Sequence, residues 1–374
     1  MGGKVLFTAS TYSHVVNFHL AYLEQFCREG WTVHVACGGR PVAVPYAQEV
    51  IGLPLEKRMW SAGNLRAAAQ LREKMAAEGY DLVVAHTTLA AFFTRLAAKG
   101  LRARPRVANM VHGYLFDDET PGLKRGVLLA AERWTAGETD LLLAMNEWDY
   151  GTAKRYKLGG TVVQVPGVGV DFSRFEGTGP DRRREMRKKW GVPEDAFVAV
   201  YAAEFSKRKS QEVIIRAMAQ LPERMWLALA GDGALRGRCE GLARELGVAG
   251  RVLFPGQVED VPGWYAMADA AVSASRSEGL PFNIMEAMYA GLPVAASDVK
   301  GHRDLIEDGG TGLLYPYGDV EGCAQRLMRL AREDGLGREL ARRARDSVER
   351  FRLERVLPIV WEQYAALASQ AAAV

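Results

Sequence analysis

The chain is poor in the features that would assign it quickly. Only four cysteines occur in 374 residues (Cys27, Cys37, Cys239, Cys323), with no CxxC spacing and no histidine cluster beside them. That excludes a disulfide framework and the common zinc-finger patterns, and favours free thiols in a reducing cytoplasm. Excess charge of one sign is also missing: 48 Lys and Arg face 45 Asp and Glu, a net charge of +3. Such a balance suits an anionic ligand and does not call for nucleic acid. No run of about 18 apolar residues is present, so no membrane-spanning helix is expected. The opening MGGKVLFTAS enters a strand pattern at once, and its apolar run is too short for a signal peptide. Gly2 lacks the Ser or Thr that myristoylation requires at its usual offset. Fixed-period repeats are absent.

What is present is alternation. The runs 4–9, 31–37, 81–87, 106–113 and 140–146 read as buried strands, and 15–28, 63–78, 88–99 and 122–136 as helices between them. Such a series forms a mostly parallel sheet with right-handed crossovers. VVQVPGVGVD (162–171) reads as an exit, and 172–195 as a linker whose short basic helix has a solvated face. A second series follows, with strands at 197–203, 226–231, 251–256, 270–275 and 292–297. Its helices fall near 210–220, 234–247, 281–290 and 319–333. The expected division is 1–171, 172–195, 196–352 and a last helix, 353–374. That helix carries Leu357, Val360, Trp361, Tyr364 and Leu367 at docking spacing. The fold class is α/β, with two doubly wound Rossmann-like domains. Ligands in such sheets lie beyond the strands' carboxyl ends, which directs attention to a cleft where the two sets of ends face each other.

The densest chemistry lies in SEGLPFNIMEAMYAGLPVAAS (277–297). Pro281 suits a first helical position and Gly291 the residue past the end. Glu278 then precedes the helix, the amides near Gly279, Leu280 and Phe282 lie at its positive end, and Glu286 lies about 7.5 Å along the axis. That spacing is too wide to grip one atom and suits two parts of an extended ligand such as a nucleotide sugar. A helix cap plus a buried salt bridge accounts for the same residues. Lys207, Arg208 and Lys209 open the helix after 197–203, where cations oppose the dipole and hint at an anionic partner. GDGALRG (231–237) is an incomplete dinucleotide fingerprint, without the following acid, and reads as a tight turn.

Together these stretches resemble retaining glycosyltransferases of family 4, of GT-B fold. The resemblance rests on Glu278 and Glu286 with seven residues between them, GDG after a strand, FPGQVEDVPGWYAMAD (254–269), KGHRDLIEDGGTGLLYP (300–316) and VPGVGVDFSRF (165–175). In the first half, TASTYSHVVNFHLAYL (8–23), AHTTLAAFFTRLAA (85–98) and VHGYLF (111–116) resemble a branch that builds capsular and exopolysaccharide.

The resemblance implies a sugar nucleotide donor, a UDP-hexose or UDP-N-acetylhexosamine, and a carbohydrate acceptor on a polyprenyl-diphosphate lipid. It implies that Glu278 holds the donor sugar's hydroxyls with help from Gly279, Leu280, Pro281 and Phe282. Glu286 would hold the ribose, and Lys209 would neutralise the diphosphate. Many relatives carry arginine where this chain has Glu204, which leaves Arg208 and Arg303 to replace it. His112 resembles the histidine beside the reacting sugar. His86 and His14 fall on the acceptor side, while His34 and His19 read as structural. The last helix would cross back to the first domain.

No bound metal or cofactor is expected: Asp117, Asp118 and Glu119 read as a solvated turn, and lysine with helix dipoles carries the electrostatic work. Segment 121–137 mixes Lys124, Arg125 and Arg133 with Leu128, Leu129 and Trp134. It reads first as sheet packing and second as a peripheral contact with anionic lipid at the inner face of a cytoplasmic membrane. The rival functions are a UDP-sugar 2-epimerase of related fold, a non-catalytic sugar-binding protein and a nicotinamide dehydrogenase. The last is disfavoured by the broken fingerprint.

Overall fold

The computed structural model describes residues 2–371 other than Lys57, Trp60, Thr178 and Asp334. Contacts divide the chain into two units, Met1–Gly169 with Leu353–Val374, and Val170–Arg352.

The first unit opens with β1 (Lys4–Ala9), α1 (Tyr12–Phe18), α2 (Leu20–Arg28), β2 (Thr32–Gly38) and β3 (Glu49–Leu53). It continues with α3 (Ala62–Glu78), β4 (Leu82–His86), α4 (Thr88–Ala98), β5 (Arg106–Val111) and α5 (Gly122–Thr135). β6 (Leu141–Ala144), α6 (Glu147–Tyr156) and β7 (Thr161–Gln164) complete the series. The sheet order is β3-β2-β1-β4-β5-β6-β7, with every pairing parallel. Strand order therefore reverses between β1 and β4, where α/β sheets bind ligands. The central strands are Val, Leu and Ala runs buried on both faces, as a sheet covered by helices requires.

Three features depart from the sequence reading. The helix expected over 15–28 breaks at His19, whose backbone leaves helical values (φ −129°, ψ 2°). β3 and α6 were not anticipated, and the stretch read as an exit begins with β7. The pattern EVIGL (49–53) is short and follows a proline-punctuated loop, so alternation alone does not mark it.

The second unit opens with α7 (Pro180–Lys189), β8 (Phe197–Ala202), α8 (Gln211–Met218), β9 (Met225–Ala230) and α9 (Arg236–Glu245). β10 (Val252–Gly256), α10 (Val261–Met267), β11 (Ala270–Ser273), α11 (Phe282–Tyr289) and β12 (Val294–Ser297) follow. β13 (Leu313–Tyr315), α12 (Val320–Arg332) and α13 (Leu336–Val348) close it. The parallel order β10-β9-β8-β11-β12-β13 places its reversal between β8 and β11.

Residues 172–195 are not a free linker, because α7 packs on α10 within this unit. Arg187 is buried and donates to Asp269 (2.7 Å) and to the carbonyls of Met267, Glu194 and Ala196, while Arg183 bonds Asp269 and Ala268. Two arginines of the expected solvated face thus bond to protein, since a buried guanidinium must fill its five donors. α13 went unread because its buried face is Leu340, Ala341, Ala344 and Val348 among arginines.

Val170 N–H donates to the Phe351 carbonyl (2.8 Å), so the chain's entry to and exit from the second unit pair with each other. α14 (Leu353–Ala371) then groups with the first unit. It turns Val356, Val360, Tyr364 and Leu367 inward and sets Trp361 edge-on to Phe26. The last three positions of the helix expected over 353–374 lie outside the described residues. Among the described residues no helix is long and apolar enough to cross a membrane.

Candidate active site

In the second unit the chemistry gathers where strand order reverses. Lys209 follows β8 and Glu278 follows β11, which are neighbouring strands. Glu278 Oε1 accepts from Lys209 Nζ at 2.6 Å, and Oε2 from Arg208 Nη1 at 2.6 Å. Burial alone would raise the Glu278 carboxyl; the Lys209 and Arg208 cations override it and lower it to about 2. Lys209 feels the same contest, with burial pulling its ammonium down and Glu278 holding it up. Glu278 is therefore ionised at neutral pH. Arg208 is half exposed, the outward cation of the trio.

Two close backbone approaches support this arrangement. Gly301 (φ +80°) packs so tightly that a Cβ there would lie 2.7 Å from the Gly279 carbonyl oxygen and 2.9 Å from Glu278. Gly231 sits against the Ala203 carbonyl, where a Cβ would lie at 2.1 Å. The GDG turn is thus packed under the segment that leads to Lys209. Ser210, next to Lys209, holds φ +51°, and Thr87, next to His86, holds φ +61°. Left-handed backbone at non-glycine residues is costly and collects at functional positions.

α11 begins at Phe282, so Pro281 is its cap residue rather than its first helical one, and Gly291 takes φ +82° just past the end. Leu280 and Pro281 are buried. Glu286 lies on this helix, half-buried, with no side-chain hydrogen bond or ion pair among the described residues. Desolvation raises its carboxyl to about 7 against the pull of Arg174. The salt-bridge reading therefore holds for Glu278 and fails for Glu286. Arg303 pairs with Asp298 (2.5 Å) on a largely exposed side chain.

His302, which the sequence reading did not single out, is fully buried in the same region. Its Nδ1 lies 2.7 Å from the Ser297 carbonyl and its Nε2 3.2 Å from Ser273 Oγ.

The first unit collects histidines. His14 lies in α1, His19 in the break before α2, His86 at the end of β4 and His112 just after β5. His14 Nε2 is 3.4 Å from His112 Nε2 and 3.3 Å from His19 Nε2; His86 Nδ1 is 3.2 Å from His112 Nε2. Burial lowers all four, His14 to about 4 and the others well below the usual imidazole value, so they are neutral. His19, read as structural, is therefore a member of the group. The signal was available in the paired histidines of HVVNFH, five apart across a helix break. His34 is separate, bonded to Tyr80 (2.7 Å) and beside Glu49.

Asp118 is tied to Arg125 and Trp148, and Asp117 to Thr120. Glu132 of α5 is buried against Arg95 of α4 at 2.7 Å. This turns the opposite face of α5 outward, leaving Leu123, Val127 and Trp134 exposed at 87%, 48% and 57%. Leu128 and Leu129 pack inward, as sheet packing requires, while Trp134 does not.

Two all-parallel Rossmann-like sheets, each with a polar cluster at its carboxyl edge, make this a doubly wound α/β protein of the ligand-binding kind. Residues 17–166 match the model of the glycosyl transferase 4-like domain, and residues 182–347 that of glycosyl transferases group 1. The chain is 34% identical over 371 residues to the putative glycosyltransferase EpsD of Bacillus subtilis, covering 98% of this chain and 97% of that one. It is 35% identical over 177 residues to the lipopolysaccharide core biosynthesis glycosyltransferase LpsE of Rhizobium meliloti, covering 47% and 52%. Among solved structures, Anabaena HepE in complex with UDP and glucose superposes with a TM-score of 0.81 at 20% identity, covering 97% of this chain and all of that one. Sucrose-phosphate synthase from Thermosynechococcus elongatus gives 0.83 at 20%, covering 98% and 100%. The protein belongs to the glycosyltransferase family of GT-B fold.

Proposed function

We propose that this protein is a retaining family 4 hexosyltransferase. It moves a sugar from UDP-hexose or UDP-N-acetylhexosamine to a polyprenyl-diphosphate-linked saccharide in capsule or exopolysaccharide synthesis. The observation that carries this reading is the opposite electrostatic state of two glutamates eight residues apart. Glu278 is ionised and held by Lys209 and Arg208, whereas Glu286 is unpaired and desolvation raises its carboxyl to about 7. A salt bridge explains the first and leaves the second without a structural partner. A ribose diol supplies one. The exopolysaccharide-type relative and the UDP complexes of HepE support the same assignment.

In this reading Glu278 and the segment Gly279, Leu280, Pro281 and Phe282 hold the sugar, and Glu286 holds the ribose. Lys209, with Arg208 and Arg303, meets the diphosphate. His112 stands beside the reacting sugar, and His14 and His86 serve the acceptor. The bond from the anomeric carbon to the phosphate oxygen breaks as the bond to the acceptor oxygen forms on the same face. The acceptor's proton passes to the departing diphosphate. No metal takes part in this step as proposed; the Lys209 ammonium and the start of α11 offset the leaving group's charge.

The enzyme would work in the cytoplasm, at the inner face of the membrane. The outward stripe of Leu123, Val127 and Trp134 beside exposed Lys124 and Arg133 supports contact with anionic lipid.

A thermal-shift panel of nucleotide sugars tests the donor. A UDP-sugar that raises Tm above the effect of UDP alone is expected, and indifference to every UDP compound would remove the assignment. Product analysis without acceptor separates transfer from 2-epimerisation, since an epimerase converts the donor unaided.

A further inference from the structure

Four of the chain's six histidines converge at the carboxyl edge of the first sheet. One nitrogen from each of His14, His19, His86 and His112 lies within 4.8 Å of the other three. Hydrogen bonding among them does not account for the arrangement. A neutral imidazole nitrogen offers either one N–H or one lone pair, never both. His14 Nε2 nevertheless touches two partners, His112 and His19, and His112 Nε2 touches two, His14 and His86. Of the three contacts in this chain, at most two can be hydrogen bonds at once. The separations of 3.2–3.4 Å are also longer than ordinary good hydrogen bonds.

A shared metal ion accounts for the three close contacts once His19 and His86, stacked at 3.8 Å between ring centroids, turn apart to ligate it together. Zinc bound by imidazole at 2.0–2.1 Å in a tetrahedron places its ligand nitrogens about 3.3 Å apart, and the three close contacts have that length. The buried His86 Nε2 has no hydrogen-bond partner, so no protein group fixes its tautomer; ligation through Nδ1 leaves an Nε2–H without the second-shell acceptor that metal-bound imidazoles ordinarily have. Half-buried His14 and His112 lie at the rim, with buried His19 and His86 beneath, which gives an ion a way in.

We propose that His14, His19, His86 and His112 form a binding site for a divalent first-row transition ion, zinc in the first place. Four neutral nitrogen donors and no carboxylate select zinc, cobalt, nickel or copper over magnesium and calcium, which take oxygen. The ion ties α1 and the start of α2 to the ends of β4 and β5.

Full-length protein is stripped with chelator, loaded with zinc, desalted and assayed for metal. About one zinc per chain is expected, together with the intense visible absorption of tetrahedral cobalt when cobalt replaces it. Zinc should raise Tm by roughly 4 °C or more, as binding to the native state alone requires. His14→Asn and His112→Asn alter only the rim. Each should melt cooperatively without metal and lose zinc retention at least tenfold, while His34→Gln retains zinc. Failure to retain zinc and a cobalt spectrum without tetrahedral bands would overturn the proposal. So would unchanged retention in a folded His14→Asn/His112→Asn double variant. No sugar nucleotide enters these measurements. Calorimetry with UDP on the same samples reports the donor site separately, so either assignment can fail alone.

Discussion

The two units share a scaffold and differ in what they place on it. Each is a parallel sheet whose order reverses beside its first strand, at β1/β4 and at β8/β11. At the first reversal burial keeps four imidazoles neutral. At the second, buried Glu278 stays ionised because the Lys209 and Arg208 cations pair with it. Desolvation acts on both groups; only the second has opposite charges within 3 Å to resist it. The first unit also contains a buried ion pair, Arg95–Glu132, but that pair joins two helices, α4 and α5, rather than the segments that leave two neighbouring strands. A buried charge pair is therefore no sign of catalysis. What sets Lys209–Glu278 apart is that its members follow the two strands of the topological reversal, where α/β sheets bind ligands.

That contrast is open to direct attack. Lys209→Ala should lower turnover by 10²–10³-fold through loss of leaving-group stabilisation; a fully active variant would place the charge pair of the second unit with that of the first, as scaffold. Glu132→Gln leaves Arg95 buried and unpaired and should cost about 3–5 kcal/mol in denaturant unfolding, with UDP affinity unchanged. A fall in UDP affinity there would break the separation of scaffold from site.

Acid should weaken the second unit through Glu278. The Glu278 carboxyl is lowered in the folded chain, so its contribution is complete above its unfolded value near 4.5 and is lost as pH falls toward about 2. That contribution is on the order of 3 kcal/mol. Glu278→Gln should flatten this part of an unfolding-versus-pH curve.

Glu286 has the opposite sign. Its raised carboxyl makes the ligand-free chain lose stability as pH rises from about 4.5 through about 7. Being half-buried, it should contribute only about 1–2 kcal/mol. Glu286→Gln should remove that slope and stabilise the protein at pH 8 while weakening UDP-sugar binding about tenfold. Unaltered affinity together with lower stability would return Glu286 to a structural part.

The smallest effect concerns the outer face of α5. Arg125 is engaged by Asp118 and lies over Trp148, so Lys124 and Arg133 are the residues to reverse. Cosedimentation with anionic vesicles should fall severalfold in Lys124→Glu/Arg133→Glu. Binding that persists would remove α5 from the membrane reading.

Much of this was legible in order along the chain. Strand alternation located most of both sheets, and the stretch 277–297 located Glu278, the start of α11 and Glu286, because caps, glycines and carboxylates are local signals. Elements whose burial is carried by few or small side chains escaped notice, notably β3 and α13, and α10 escaped because it is only seven residues long. The basic run at 182–189 was misread because local composition cannot show that Asp269, more than 80 residues on, waits for Arg183 and Arg187.

The sequence alone determined the class of the protein, the order of its elements and the residue types at the strand ends. Periodicity and turn chemistry act over a few residues and are written locally. Only the tertiary structure decided which charges meet and which histidines converge. Lys209 reaches Glu278 across 69 positions, and His14 reaches His112 across 98. Parallel pairing brings distant strand ends side by side, and burial then fixes whether each group keeps its charge.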